Sequence, residues 1–144
     1  MFSCRPQGLE ALYANRQRVL GAFITLNITE AIVRYEGGGD SGDVCEMVLK
    51  PESCLPTLQS HFLDYCVVCS EYREEKYHYF LVEKSMSLEE ALRDFVFTWL
   101  DVHHGGWENN EGGAGVMTIR VADDDFSLEH TEYYTECNDY VYCL

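Results

Sequence analysis

Apolar residues recur at intervals of three and four along two stretches of the chain. The first stretch runs from Leu9 to Phe23 and predicts an amphipathic helix. The second follows Ser87 and Glu90, which have the Ser-x-x-Glu spacing of a capping box. We expect this helix to end at the His pair 103–104, because imidazoles favour the negative end of a helix and two glycines follow.

The remaining segments alternate in polarity and predict three hairpins. In the first, "ITEAIVRYE" and "VCEMVLK" flank the glycine-rich turn "GGGDSGD". In the second, the charged turn "SEYREE" separates "HFLDYCVVC" from "KYHYFLVEK". The third joins "GVMTIRVA" to "FSLEHTEYY" through "DDD", and a tyrosine-rich tail follows it.

Short turns between these strands favour an antiparallel sheet. We therefore predict an α+β fold in the order α-β-β-β-β-α-β-β, with about six strands in one sheet and both helices on one of its faces. The length of 144 residues suits a single domain spanning residues 1–144.

Composition places the chain among globular proteins, since 47% of its residues are hydrophobic despite a net charge of −15. No apolar run reaches about 18 residues, and the first residues lack the pattern of a secretion signal. The seven cysteines cannot all pair within one chain. We expect reduced thiols and a cytoplasmic location.

Negative charge is concentrated in the last third of the chain. From Gly105 to Leu144, nine acidic residues stand against Arg120, a local net charge of −8, whereas the first helix has Arg5, Arg16 and Arg18 against Glu10. Residues two apart on a strand point the same way, about 6.6 Å apart, so we expect a row of carboxylates that attracts a basic partner. The predicted partner-binding residues are Glu108, Glu111, Asp123, Asp124, Asp125, Glu129, Glu132, Glu136 and Asp139, with Tyr133 and Tyr134.

This charge has two interpretations. The acids either keep the protein soluble or imitate a nucleic-acid backbone in a groove that normally holds phosphates. Direct binding of nucleic acid is excluded, because phosphates would be repelled.

Motifs for chemistry are weak. Cys66 and Cys69 point to opposite faces of a strand, which suits neither a disulfide nor a shared metal. The oxygens of Asp40, Ser41 and Asp43 resemble ligands for a hard cation, but the glycines around them equally suit a hairpin turn.

A catalytic site has little support in the sequence. Glu108 and Glu111 are candidates for acid–base work with His103 or His104, but no hydrolase, metalloprotease or phosphate-binding motif accompanies them. We therefore predict no catalytic residues, no metal site and no cofactor.

Three segments, "YANRQRVL", "VRYEGGGDSGDV" and "HGGWENNEGGAGVMTIRVADDDFSLEH", together resemble a family of uncharacterised bacterial proteins with a Gly-Gly-Trp-Glu-Asn-Asn signature. The resemblance implies a setting on plasmids, phages and other mobile elements, and it implies no catalytic residues. The matching positions are Asn15, Gly37, Gly39, Asp40, Ser41, Gly42, Gly105, Gly106, Trp107, Glu108, Asn109, Asn110, Glu111, Gly112 and Gly115.

These observations favour an acidic inhibitor from a phage or mobile element, of the anti-CRISPR or anti-restriction type. Such a protein would bind the basic groove of a host defence complex without touching nucleic acid or membrane. One alternative is an immunity or antitoxin-like protein that neutralises a basic toxin. The other is a small metal-dependent enzyme built on Asp40, Asp43, Glu108, Glu111 and the two histidines. Whether the Gly37–Asp43 and Gly105–Gly115 segments meet in one site is left open.

Overall fold

A computed structural model describes residues 6–38, 41–104, 112–132 and 138–144 of the chain. Three helices and seven strands follow one another there, with a short 3-10 helix at Glu52–Cys54. The helices are α1 (Pro6–Leu26), α2 (Thr57–Ser60) and α3 (Leu88–His104). The strands are β1 (Glu30–Gly38), β2 (Ser41–Lys50), β3 (Phe62–Arg73), β4 (Lys76–Ser87), β5 (Gly113–Arg120), β6 (Asp125–Glu132) and β7 (Asn138–Cys143).

The strands form two antiparallel sheets. Five of them lie in the order β2-β1-β5-β6-β7, and β3 pairs with β4 in a separate hairpin. The predicted α+β class and antiparallel pairing are confirmed, whereas α2 and β7 are additions to the predicted order of elements. The single sheet of about six strands is wrong, because the second hairpin packs on the helices and the tyrosine-rich tail adds β7 to the main sheet.

Both long helices cover one face of the five-stranded sheet, as predicted. Across this face, Val33 pairs with Met117 and Met117 with Leu128, and all three side chains are fully buried. They pack with Phe95 and Trp99 of α3 and with other apolar residues of α1. Burial of this face supplies the main hydrophobic core. The opposite face, which carries Arg34, Val116 and Glu129, is called the open face below.

Two adjacent polar residues of α1 join the helix to both sheets. The Asn15 amide donates to the Cys66 carbonyl and accepts the Cys66 N–H, each at 2.7 Å, and so occupies the outer edge of β3. The Arg16 guanidinium donates to the Asp124 carboxylate at 2.9 Å and to the Leu144 carbonyl at 3.2 Å. The β3–β4 hairpin is therefore held by a side chain of α1 instead of by a neighbouring strand.

Helix α3 begins and ends where the sequence predicts. The Ser87 hydroxyl accepts the Glu90 N–H at 3.2 Å, which is half of the predicted capping box. The helix ends at His104, and the His103 ring stacks on Tyr142 of β7 with 4.0 Å between centroids. None of the helices in the described ranges has the length and apolar character needed to cross a membrane.

Candidate functional site

The open face is arranged in rows, because residues paired in register lie side by side across the strands. The row nearest the glycine-rich turns contains Asp43, Glu36, Ala114, Thr131 and Asp139. The next row contains Glu46, Arg34, Val116, Glu129 and Val141. These two rows are called the acidic half of the open face.

Carboxylates outnumber cations in the acidic half. Asp43 is paired with Arg93 of α3, and the other four acids, Glu36, Glu46, Glu129 and Asp139, stand against Arg34, which leaves a net charge of −3. Arg34 lies 3.0 Å from the Glu46 carboxylate, and the half therefore keeps three carboxylates in excess of its one guanidinium.

The far end of the same face is electrically balanced. Lys50 lies 3.6 Å from Glu30 and Arg120 lies 3.4 Å from Asp125, so each cation there has a carboxylate partner. Such exposed pairs add little stability but cancel charge locally. The open face is therefore polarised, with its excess negative charge at the end that carries the glycine-rich turns.

A shallow depression of about 420 Å³ lies within the acidic half. Its lining includes the Glu36 and Glu129 carboxylates and the Arg34 guanidinium, with the small residues Ala114 and Gly115 of β5. Because Arg34 is paired with Glu46, which lies outside this lining, the two lining carboxylates leave an excess of negative charge that favours a cationic side chain.

Beneath this depression, a buried polar pair spans β5. The Tyr35 hydroxyl lies 2.7 Å from Nδ1 of His130, and the two rings stack with 5.8 Å between centroids. Tyr35 reaches His130 across Gly115, where an added Cβ would lie 2.3 Å from the Tyr35 hydroxyl and 2.2 Å from the Glu129 carbonyl. The pair therefore requires glycine at position 115.

Burial raises the pKa of Tyr35, so its hydroxyl stays protonated. On the other side of the imidazole ring, Nε2 of His130 lies 3.8 Å from the Glu132 carboxylate. The three residues form a chain of polar groups that leads from the core toward the end of β6.

The structure separates the predicted partner-binding residues into several environments. Glu129 and Asp139 lie in the acidic half, where Asp139 accepts a hydrogen bond from the Thr131 hydroxyl at 2.6 Å. Asp123 is exposed in the turn before β6, at the opposite end of the sheet. Tyr133, Tyr134, Glu136, Glu108 and Glu111 lie outside the described residues.

The remaining three acids contradict the predicted continuous row. Asp124 is bound by Arg16, Asp125 is paired with Arg120, and Glu132 lies on the core side of β6 beside His130. Residues 129 and 132 are three apart on a strand, so they point to opposite faces. The acids of the last third that lie within the described residues therefore do not form one patch.

Sequence reasoning missed Glu36 and Glu46, which complete the acidic half. Both are polar positions in otherwise alternating segments, which places them on the solvated side of a strand. This alternation predicts which face of a strand each acid occupies, but it does not predict which strands lie side by side. Glu36 and Glu129 come into one surface only because β5 lies between β1 and β6.

The structure also shows the surroundings of the candidate metal ligand Asp43 and of the candidate thiol pair, Cys66 and Cys69. The Asp43 carboxylate binds Arg93 and accepts the Val44 N–H, and Asp40 lies outside the described residues. Cys66 and Cys69 are free thiols on opposite faces of β3, as predicted. Within the described ranges, no three His, Cys, Asp or Glu side chains are grouped as metal ligands.

The ends of the two glycine-rich segments meet at one edge of the main sheet. Gly37 pairs with Gly42 in β2 and with Gly113 in β5, and Gly113 pairs with Glu132. The described ends of the two segments, Gly37 and Gly42 of the first and Gly113 of the second, therefore adjoin beside the acidic half.

These features define an α+β protein with two helices between a five-stranded sheet and a hairpin, and with an acidic half on its open sheet face. The chain belongs to a family of unknown function (DUF6878), which matches residues 11–144. No curated protein and no solved structure matches the chain.

Proposed function

We propose that the protein is an acidic inhibitor of the anti-CRISPR or anti-restriction type, without enzymatic activity. In this proposal, the acidic half of the open face binds the cationic groove of a host complex that handles nucleic acid. The observation that carries the proposal is the excess of Glu36, Glu46, Glu129 and Asp139 over Arg34 on one sheet face. The resemblance to mobile-element proteins with the Gly-Gly-Trp-Glu-Asn-Asn signature supports the setting.

Rigid placement favours mimicry of a phosphate backbone. Neighbouring strands of a sheet lie about 4.8 Å apart, so the two outer acids of each row, Glu36 with Asp139 and Glu46 with Glu129, are held three spacings or roughly 14 Å apart. Groups held in place by a sheet lose less conformational entropy on binding than groups on a flexible chain. The depression between Glu36 and Glu129 further suits one Arg or Lys side chain of the partner.

The same surface also suits a basic toxin, which is the immunity or antitoxin-like alternative. Electrostatic complementarity steers association with either partner and is weakened by salt. The two functions differ in what the partner does, so the partner's identity separates them.

The test compares two variants with equal changes in charge. E36Q/E129Q/D139N neutralises the acidic half, whereas E10Q/E52Q/D123N neutralises three exposed acids elsewhere. Wild-type protein captures its partner from a bacterial host lysate, and the reconstituted partner is then assayed for nucleic-acid binding at low salt.

We expect wild type and the E10Q/E52Q/D123N control to block nucleic-acid binding, and the acidic-half variant to lose at least about tenfold in potency, roughly 1.4 kcal/mol. Capture of a basic toxin would favour the immunity alternative. Full nucleic-acid binding by the partner in excess protein, or equal potency of both variants, contradicts the proposal.

A further inference from the structure

Strand β2 forms one edge of the main sheet. Within the described residues it pairs with β1 alone, although it is ten residues long. The outer side of such a strand presents backbone donors and acceptors that can pair with another chain. Its pairing with β1 includes a bulge, since Arg34 pairs with Glu46 and Tyr35 with Val44, which leaves Cys45 as the extra residue.

A groove of about 450 Å³ runs beside this edge. One wall is formed by four consecutive residues of β2, 44–47, and the other by the segment around α2 and the first turns of α3. Consecutive residues of a strand point to alternate faces, so a groove that contacts four in a row lies along the strand edge. The lining contains no residue of β1, which places the groove on the outer side of β2.

The helix side of the groove is apolar. Leu58 is buried at its base, Met47 is partly buried, and Leu55 is 46% exposed at its rim. An exposed leucine beside an unpaired strand edge is the kind of surface that a second chain covers. The apolar residues would contact every second side chain of an added strand.

The open-face side of the same edge is acidic. Glu46 points toward the acidic half, and across the groove Arg93 is already bound by Asp43 and Glu89. The carboxylates Asp43, Glu46 and Glu89 outnumber the cations Arg93 and Arg34 by one, in a chain whose net charge is −15. An acidic occupant is disfavoured and a basic one is favoured.

We propose that this groove binds an extended segment of a partner protein in which apolar and basic residues alternate, and that the segment joins the sheet as a sixth strand beside β2. Its apolar side chains contact Met47, Leu55 and Leu58, while its basic side chains lie on the Glu46 side. The groove adjoins the depression between Glu36 and Glu129, with which it shares Cys45, but strand addition beside β2 does not depend on the inhibitor function.

The experiment uses a blocked peptide of about seven residues in which Lys and Val alternate, long enough to span the groove at about 3.3 Å per residue. Two further peptides keep the same side chains and charge but carry N-methyl groups on alternate backbone nitrogens, one for each register. Affinity is measured by titration against isotope-labelled protein, and amide shifts locate the site. A peptide in which Glu replaces Lys tests the charge preference.

We expect the unmodified peptide to shift amides of β2 and α2, one N-methylated peptide to bind at least about tenfold more weakly, and the Glu peptide not to bind. L55D should weaken binding at least about tenfold, whereas I24D, which changes a 59% exposed residue of α1, should not. E36Q/E129Q/D139N should bind the peptide as wild type does, whatever its effect on inhibition.

Three results would overturn the proposal. They are equal affinity of all three Lys–Val peptides, amide shifts centred on β5 and β6 instead of β2, and equal loss of binding in L55D and I24D.

Discussion

At the residue scale, Asn15 and Arg16 are neighbours in α1 that face different layers of the protein. Successive helical residues are about 100° apart, so one side chain reaches β3 while the next reaches the turn before β6. Both side chains are buried, and both have polar partners that offset the cost of removing them from water.

Replacing Asn15 by alanine removes the side-chain atoms that hydrogen-bond to the Cys66 N–H and to the Cys66 carbonyl. Two buried polar groups are then left without hydrogen bonds, and we expect N15A to lower the free energy of unfolding by about 2–4 kcal/mol. Urea denaturation measures the loss. Q17A, a change at an exposed position of the same helix, is the control and should stay within about 0.5 kcal/mol of wild type. A similarly small effect of N15A would contradict the role assigned to Asn15.

Two glycines offer opposite outcomes for the same substitution. At Gly115 a Cβ would lie 2.2 Å from the Glu129 carbonyl, a backbone atom that cannot turn aside, so G115A should destabilise the protein by about 3 kcal/mol. At Gly21, inside α1, an added Cβ meets nothing within 4 Å. G21A should therefore stabilise by about 0.5–1 kcal/mol. Thermal unfolding of both variants checks the pair, and equal shifts would show that the cost at Gly115 is not steric.

At the element scale, the β3–β4 hairpin is closed by an unfavourable turn. Glu74 and Glu75 have φ values of 55° and 64°, a left-handed conformation that Asn and Gly adopt more readily. We expect E74N/E75G to stabilise the turn by about 1–2 kcal/mol and to slow amide exchange near the tip roughly tenfold.

The control for this prediction is E74Q/E75Q, which removes the same two charges but leaves the backbone conformation unfavourable. Hydrogen exchange of residues 70–80 compares the two variants. If the glutamine variant slows exchange as much as E74N/E75G, repulsion between the carboxylates and not backbone strain weakens the turn.

Elements whose apolar residues repeat at regular intervals were predictable from sequence. Elements whose position depends on tertiary contacts were not. The apolar face of α3 and the cap at Ser87 gave its bounds nearly to the residue. In "SEYREE", by contrast, the charged residues suggest a turn over the whole segment, but residues 70–73 continue β3 as an exposed strand and only Glu74 and Glu75 form the turn. The separation of this hairpin from the sheet depends on Asn15, 51 positions from Cys66, and no local pattern reports that contact.

At the scale of the whole molecule, the net charge of −15 follows from composition, but composition does not predict which carboxylates are paired with cations. The last third of the chain is the most acidic, yet Arg16 binds Asp124 across 108 positions and Arg120 binds Asp125. The acidic half instead combines Glu36 and Glu46 from the first hairpin with two acids of the last third. Which acids remain unpaired is decided by strand order, which is a long-range property.

Two buried tyrosines predict how the whole molecule responds to alkali. Burial raises the pKa of Tyr35 and also that of Tyr65, where the nearby Asp94 carboxylate raises it further. Unfolded tyrosines lose their protons near pH 10, whereas these two keep theirs while the chain is folded. The stabilisation is therefore fully present below about pH 10 and is lost as the pH rises above it.

With two such groups, the free energy of unfolding should fall by about 2.7 kcal/mol per pH unit above pH 10, since each contributes about 1.4 kcal/mol. Urea denaturation at several pH values between about 8 and 11 measures this slope. Y65F should halve the slope, because it leaves one titrating buried tyrosine, and Y13F, at a 53% exposed position, should leave the slope unchanged. An unchanged slope in Y65F would mean that other groups drive alkaline unfolding, and that the Tyr65 hydroxyl is not held in its neutral form by the fold.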